Sequence, residues 1–83
     1  MINAIQILRD IAKTTSIPLD RNVKRIVKQH QLGQTVFLLA EMRDGRWLLV
    51  DRCLEPDSFD VTFHDNETDA MARAPAPLRR AWE

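Results

Sequence analysis

"TVFLLAEMRDGRWLLVDRC", residues 35–53, sets two apolar runs on either side of Asp44-Gly45. Glycine accepts the positive φ that a tight reversal needs. An Asp-Gly pair between two such runs therefore predicts a hairpin with a two-residue type I′ turn. In that register Met42 faces Trp47, Ala40 faces Leu49, Leu38 faces Asp51 and Val36 faces Cys53. One face then carries Val36, Leu38, Ala40, Met42, Trp47, Leu49 and Cys53, with Asp51 as its one charge. The other carries Phe37, Leu39, Glu41, Arg43, Arg46, Leu48, Val50 and Arg52. Both faces are apolar near the middle, so the hairpin lies centrally in a sheet or has one face covered by a partner.

Downstream, "EPD" turns the chain and "SFDVTFHD", residues 58–65, alternates. Phe59, Val61 and Phe63 point one way, and Ser58, Asp60, Thr62 and His64 the other, as in a half-buried third strand. Asn66 then caps a short helix with Glu67 and Asp69 in its first turn, where carboxylates suit the dipole. "APAP" ends that helix, and residues 75–83 read as a loosely ordered tail or as one last turn that holds Trp82.

Upstream, Ile2, Ile5, Leu8, Ile11 and Ala12 recur at helical spacing, which predicts a helix over 3–15. "TTSIPLD" breaks it at Pro18. Val23, Ile26, Val27 and His30 then predict a second helix over 20–32, capped by Asp20 or Ser16 and stopped by Gly33. The expected fold is a single α+β domain over 1–83. It has two N-terminal helices, a three-stranded, mainly antiparallel sheet, and a short C-terminal helix and tail.

The 83 residues carry zero formal net charge. That balance hides a split. Residues 1–32 hold six Lys or Arg against two Asp, and residues 33–83 hold six Arg against ten Asp or Glu. Such asymmetry points to charged partner surfaces, or to pairing within the fold or between two copies. A chain of this length buries a modest core, and dimerisation or docking on a larger partner would add stability. Its single cysteine, Cys53, rules out an intrachain disulfide and suits a reducing, cytoplasmic setting. Arg9, Asp10 and Lys13 interrupt any signal-peptide-like run, and no apolar stretch approaches a membrane span.

Residues 47–67 gather Asp51, Cys53, Glu55, Asp57, Asp60, His64, Asp65 and Glu67. Each acid has a local structural reason: a wet strand face, a turn or a helix start. Cys53 and His64 make at most two soft ligands, with His30 far off, where structural zinc takes four. Asp51, Glu55 and Asp57 around Cys53 would hold its thiol protonated, the reverse of what a nucleophile needs. No glycine-rich phosphate loop exists, since Gly33 and Gly45 are the only glycines. The reading is a non-enzyme without cofactor or metal.

On a helix over 20–32, Arg21, Lys24, Arg25 and Lys28 would form one basic stripe, joined by Arg43 and Arg46 at the hairpin tip. Trp82 adds a large apolar side chain that either folds back over an apolar face of its own domain or anchors an interface. These seven residues are the candidate partner-binding set. They point to a small regulatory, inhibitor-like or adaptor module that binds another protein through charged and apolar surfaces. The alternative is a DNA- or RNA-binding regulator that uses the basic helix and the hairpin tip. It is disfavoured by a near-neutral isoelectric point and by the acidic 51–69 segment, which would repel phosphate.

Overall fold

The computed structural model describes residues 3–82. In chain order these form α1 (Ala4–Thr15), α2 (Leu19–Asn22), β1 (Val23–Leu32), β2 (Thr35–Met42), β3 (Trp47–Cys53), β4 (Ser58–His64), α3 (Glu67–Arg73) and α4 (Ala76–Ala81). The fold is mixed α+β. Its antiparallel sheet has four strands where three were expected, in the order β1-β2-β3-β4. Ile2 and Glu83 of the sequence reading lie outside the described residues.

The extra strand replaces the expected second helix. Only Leu19–Asn22 is helical, and residues 23–32 are strand. The pairing of β1 with β2 shifts register between Val23 and Arg25, and again between Ile26 and Lys28. Each such bulge inserts one residue and resets the side-chain alternation. Val23 and Ile26 therefore both reach the same core, although they stand three residues apart. A twice-bulged strand here imitates helical spacing. Gly33 does not stop a helix either; it opens a two-residue reversal between Leu32 and Thr35 at φ +59°. Gln34 does not share the positive φ, the pattern of a type II′ turn with glycine first.

The hairpin of β2 and β3 forms as expected, with a different loop. The Met42 amide donates to the Arg46 carbonyl at 2.8 Å, and the Gly45 amide to the Met42 carbonyl at 3.1 Å. Gly45 lies at φ +92°. Three residues, Arg43, Asp44 and Gly45, make the connection, as in a type I turn closed by a glycine bulge. Leu39 consequently faces Leu49, Leu38 faces Val50 and Glu41 faces Trp47. This is one residue away from the two-residue-turn register, and one residue moves every β3 side chain to the opposite face. Leu48 and Val50 join Val36, Leu38, Ala40 and Met42, while Trp47 and Leu49 join Phe37 and Leu39.

Both faces are covered. Ala4, Leu8 and Ile11 of α1 pack with Leu19 and Val23 against the first set. Ala70 and Ala74, with Leu78 of α4 and Trp82, pack against Leu39 and Leu49 on the other. The central strands β2 and β3 thus lie between two helical layers, the physical reason their sequences are apolar without alternation. The edge strand β4 alternates as expected, with Phe59 and Val61 packed against the α1-side core.

Caps hold the helix ends. Asn3 Oδ1 accepts from the Gln6 amide at 3.0 Å, and Asn66 Oδ1 from the Asp69 amide at 2.8 Å. Of the two readings of the C-terminal segment the structure has the helical one: Ala76–Ala81 forms α4, with Leu78 and Trp82 buried. No helix among the described residues is long and apolar enough to cross a membrane.

Candidate binding surface

The seven candidate residues do not form one stripe. Arg25 Nε meets Glu41 Oε1 at 2.7 Å across the β1–β2 pair. That hydrogen bond, with Lys24 nearby, holds the Glu41 carboxyl below its ordinary range. Lys28 donates to the Trp82 carbonyl on the α4 side of the sheet. Trp82 is 7% exposed, so its indole fills its own domain's core. These four residues are therefore dispersed along β1 or built into the α4 layer.

Arg21, Arg43 and Arg46 do come together. The Arg43 amide donates to the Asn22 carbonyl at 2.8 Å, and Arg43 Nε to the Arg21 carbonyl at 3.1 Å. These two bonds tie the β2–β3 turn to the end of α2. Asp44 accepts from Arg46 twice, at the backbone amide (3.0 Å) and at Nε (2.8 Å), and its carboxyl is held below the usual range by those bonds. The Arg46 guanidinium then lies 4.7 Å from the centre of the Phe63 ring, a cation–π stack.

Beside this turn is a cleft of about 390 Å³ lined by Ile17, Leu19, Met42, Phe63 and the two hairpin arginines, with Asn22 and Asp44. Ile17 also walls a second depression, of about 350 Å³, with Arg9, Lys13, Asp20 and Arg21 around it. Ile17 is 46% exposed and Phe63 38%. The local chain explains why Ile17 stands out. Thr15 Oγ1 donates to the Ile11 carbonyl and accepts from the Ile17 amide, and Ser16 takes the left-handed region at φ +61°. A non-glycine residue there costs about 1–2 kcal/mol. The turn ends α1 and leaves Ile17 as a ridge between the two depressions. Five cations and two carboxylates surround that ridge. Asp44 is committed to Arg46, and Asp20 lies 4.0 Å from Arg9. Among the described residues no carboxylate pairs with Lys13, Arg21 or Arg43.

The sequence reading missed Ile17, Phe63, Arg9 and Lys13. Phe63 looked like an ordinary inward strand residue, and Arg9 and Lys13 an ordinary wet helix face. Their convergence depends on α1 lying across the sheet, which no local pattern reveals.

The acidic stretch separates into parts. Cys53 pairs with Ser58 and His64 with Trp47, at opposite ends of the β3–β4 ladder. Six residues of strand put them about 20 Å apart. Among the described residues no three of His, Cys, Asp and Glu are grouped to hold a metal ion. Asp51 stands on the α3–α4 face, opposite Phe37 on β2 and directly opposite Asp60 on β4, rather than opposite Leu38. Burial, and then the Asp60 charge, push its carboxyl above the ordinary range. The two acids share a small recess of about 110 Å³ with Thr62, Arg73 and Pro75. That recess is too small to take a substrate of ordinary size.

Comparison with family models, with curated proteins and with solved structures finds no match.

Proposed function

We propose that the chain is a small non-enzymatic module of the regulatory, inhibitor-like or adaptor kind, binding another protein through the Ile17 ridge and the cations around it. The observation that carries this reading is the coincidence of exposed apolar area with positive charge that no carboxylate among the described residues pairs, on a domain whose two sheet faces are already covered. Exposed apolar area rimmed by charge is the composition of a protein interface, where apolar contact supplies affinity and charge supplies orientation. A cytoplasmic setting suits the single free thiol at Cys53.

The nucleic-acid alternative has less to rest on. Its recognition elements were a basic helix over 20–32 and the hairpin tip; residues 23–32 are instead an edge strand, with Arg25 and Lys28 already engaged.

The test is affinity capture from nuclease-treated lysate of the source cells. Wild type is compared with Arg21→Glu/Arg43→Glu and with a control reversal on α4, Arg79→Glu/Arg80→Glu. The proposal expects a protein retained by wild type and by the control and lost with the first variant. Retention by all three, or capture that disappears with nuclease, contradicts it.

A further inference from the structure

Granting that the Ile17 end is the binding surface, its chemistry narrows the partner. We infer that its occupant is an acidic protein segment that places an apolar side chain in the cleft between Ile17 and Phe63, with carboxylates against Arg21, Arg43 and Lys13.

The charge sets the sign of the partner. Lys13, Arg21 and Arg43 have no carboxylate partner among the described residues. Three cations around one patch repel a basic segment and attract an acidic one at the low cost of a partly exposed site. Arg43 is also pre-positioned. Its Nε is fixed on the Arg21 carbonyl, so the remaining guanidinium nitrogens are aimed without further ordering of the side chain. A guanidinium held in this way suits a carboxylate, which it can meet with two parallel hydrogen bonds.

The floor of the cleft sets the second requirement. Ile17 and Phe63 offer carbon to the occupant above the buried Leu19 and Met42, and about 390 Å³ is room for a side chain of leucine or phenylalanine size. A purely acidic chain would leave this apolar floor wet and gain nothing from it. Arg46 contributes to the wall more than to the field, because Asp44 neutralises it and Phe63 carries it. A phosphate backbone would satisfy the charge and leave the apolar floor unused, so the combination favours a peptide over a nucleic acid.

The experiment is selection of random dodecapeptides displayed on phage against the immobilised full chain, followed by synthesis of the recovered sequences. Binding is then measured to wild type, Arg43→Glu, Lys13→Glu and Ile17→Ser, each checked for an unchanged melting transition. Ile17 is exposed, so its replacement leaves the core intact. The expected result is enrichment of sequences with two or more Asp or Glu beside Leu, Ile, Met or Phe. Their affinity should fall at least about tenfold with Arg43→Glu and with Ile17→Ser. Recovered peptides without acidic bias, whose binding still falls with Ile17→Ser, overturn the inference about the partner and leave the Ile17 surface as the binding site. Acidic peptides indifferent to Ile17→Ser overturn the apolar anchor. Peptides indifferent to every variant overturn the inference and the proposed surface together. A fluorescent oligonucleotide that binds wild type at physiological salt and loses affinity with Arg43→Glu also overturns it.

Discussion

Lys28 on β1 donates its ammonium to the carbonyl of Trp82, fifty-four residues later in the chain. The bond joins the edge strand to the end of α4, where a cation suits the carbonyl-rich terminus of a helix. Two residues first read as partner-binding thus hold the C-terminal segment onto the sheet. Trp82→Ala is expected to cost about 3–5 kcal/mol, a large share of the stability of a domain this size. The Trp82 indole N–H meets no acceptor among the described residues, so its burial costs stability. Trp82→Phe should accordingly retain most of what Trp82→Ala loses. Urea denaturation of the three proteins checks the order.

The facing carboxylates of Asp51 and Asp60 give a pH signature. Asp51 titrates above the ordinary aspartate range because burial and then Asp60 disfavour its charge. The folded protein therefore holds this proton to higher pH than the unfolded chain does. The contribution of Asp51 to stability is greatest below the unfolded value and declines as pH rises toward the folded one. Asp51→Asn removes the ionised form and should stabilise the protein at pH 7 by roughly 0.2–1 kcal/mol, the scale of a cross-strand pair. The gain should shrink as pH falls through the carboxylate range. Thermal melts of both proteins at pH 7 and pH 4 measure the difference. A gain that grows on acidification contradicts the assignment.

Gly45 sits at φ +92° with open space where a Cβ would stand. Gly45→Ala therefore has no clash to relieve, and its cost is that of the backbone conformation, about 1–2 kcal/mol. Gly45→Asn should cost less, since asparagine tolerates positive φ better than alanine does. Chemical denaturation reads both.

The same hairpin shows how far the sequence could be read. Asp44-Gly45 located the reversal, and the apolar runs beside it located both strands. What the dipeptide did not specify was whether two or three residues turn the chain, and that single residue decides which side of β3 meets α1. β4 and α3 were legible because Phe59, Val61 and Phe63 alternate without interruption and Asn66 caps where a cap is needed. β1 was not, because the bulge between Val23 and Arg25 puts Val23 and Ile26 on one side at a spacing that belongs to helices. For the site, Arg43 and Arg46 were visible at the tip of a turn. Ile17 and Phe63 were not, since they meet only through the crossing of α1 over the sheet.

Cys53 lies opposite Thr35 and Ser58, near the polar β3–β4 turn and away from the Ile17 end. Cys53→Ser should leave partner capture unchanged, with at most a modest shift in melting temperature. Loss of capture with unchanged melting would give the thiol a role that the structure does not explain.

The most direct measurement is amide hydrogen exchange across the chain, alone and saturated with the protein recovered by affinity capture. The proposed surface predicts new protection in residues 16–22 and in the 42–46 turn, with Phe63 and its neighbours following. It predicts no change in residues 28–32 or 67–82. Protection confined to β1 or to the α3–α4 layer, with 16–22 and 42–46 unaffected, would contradict it.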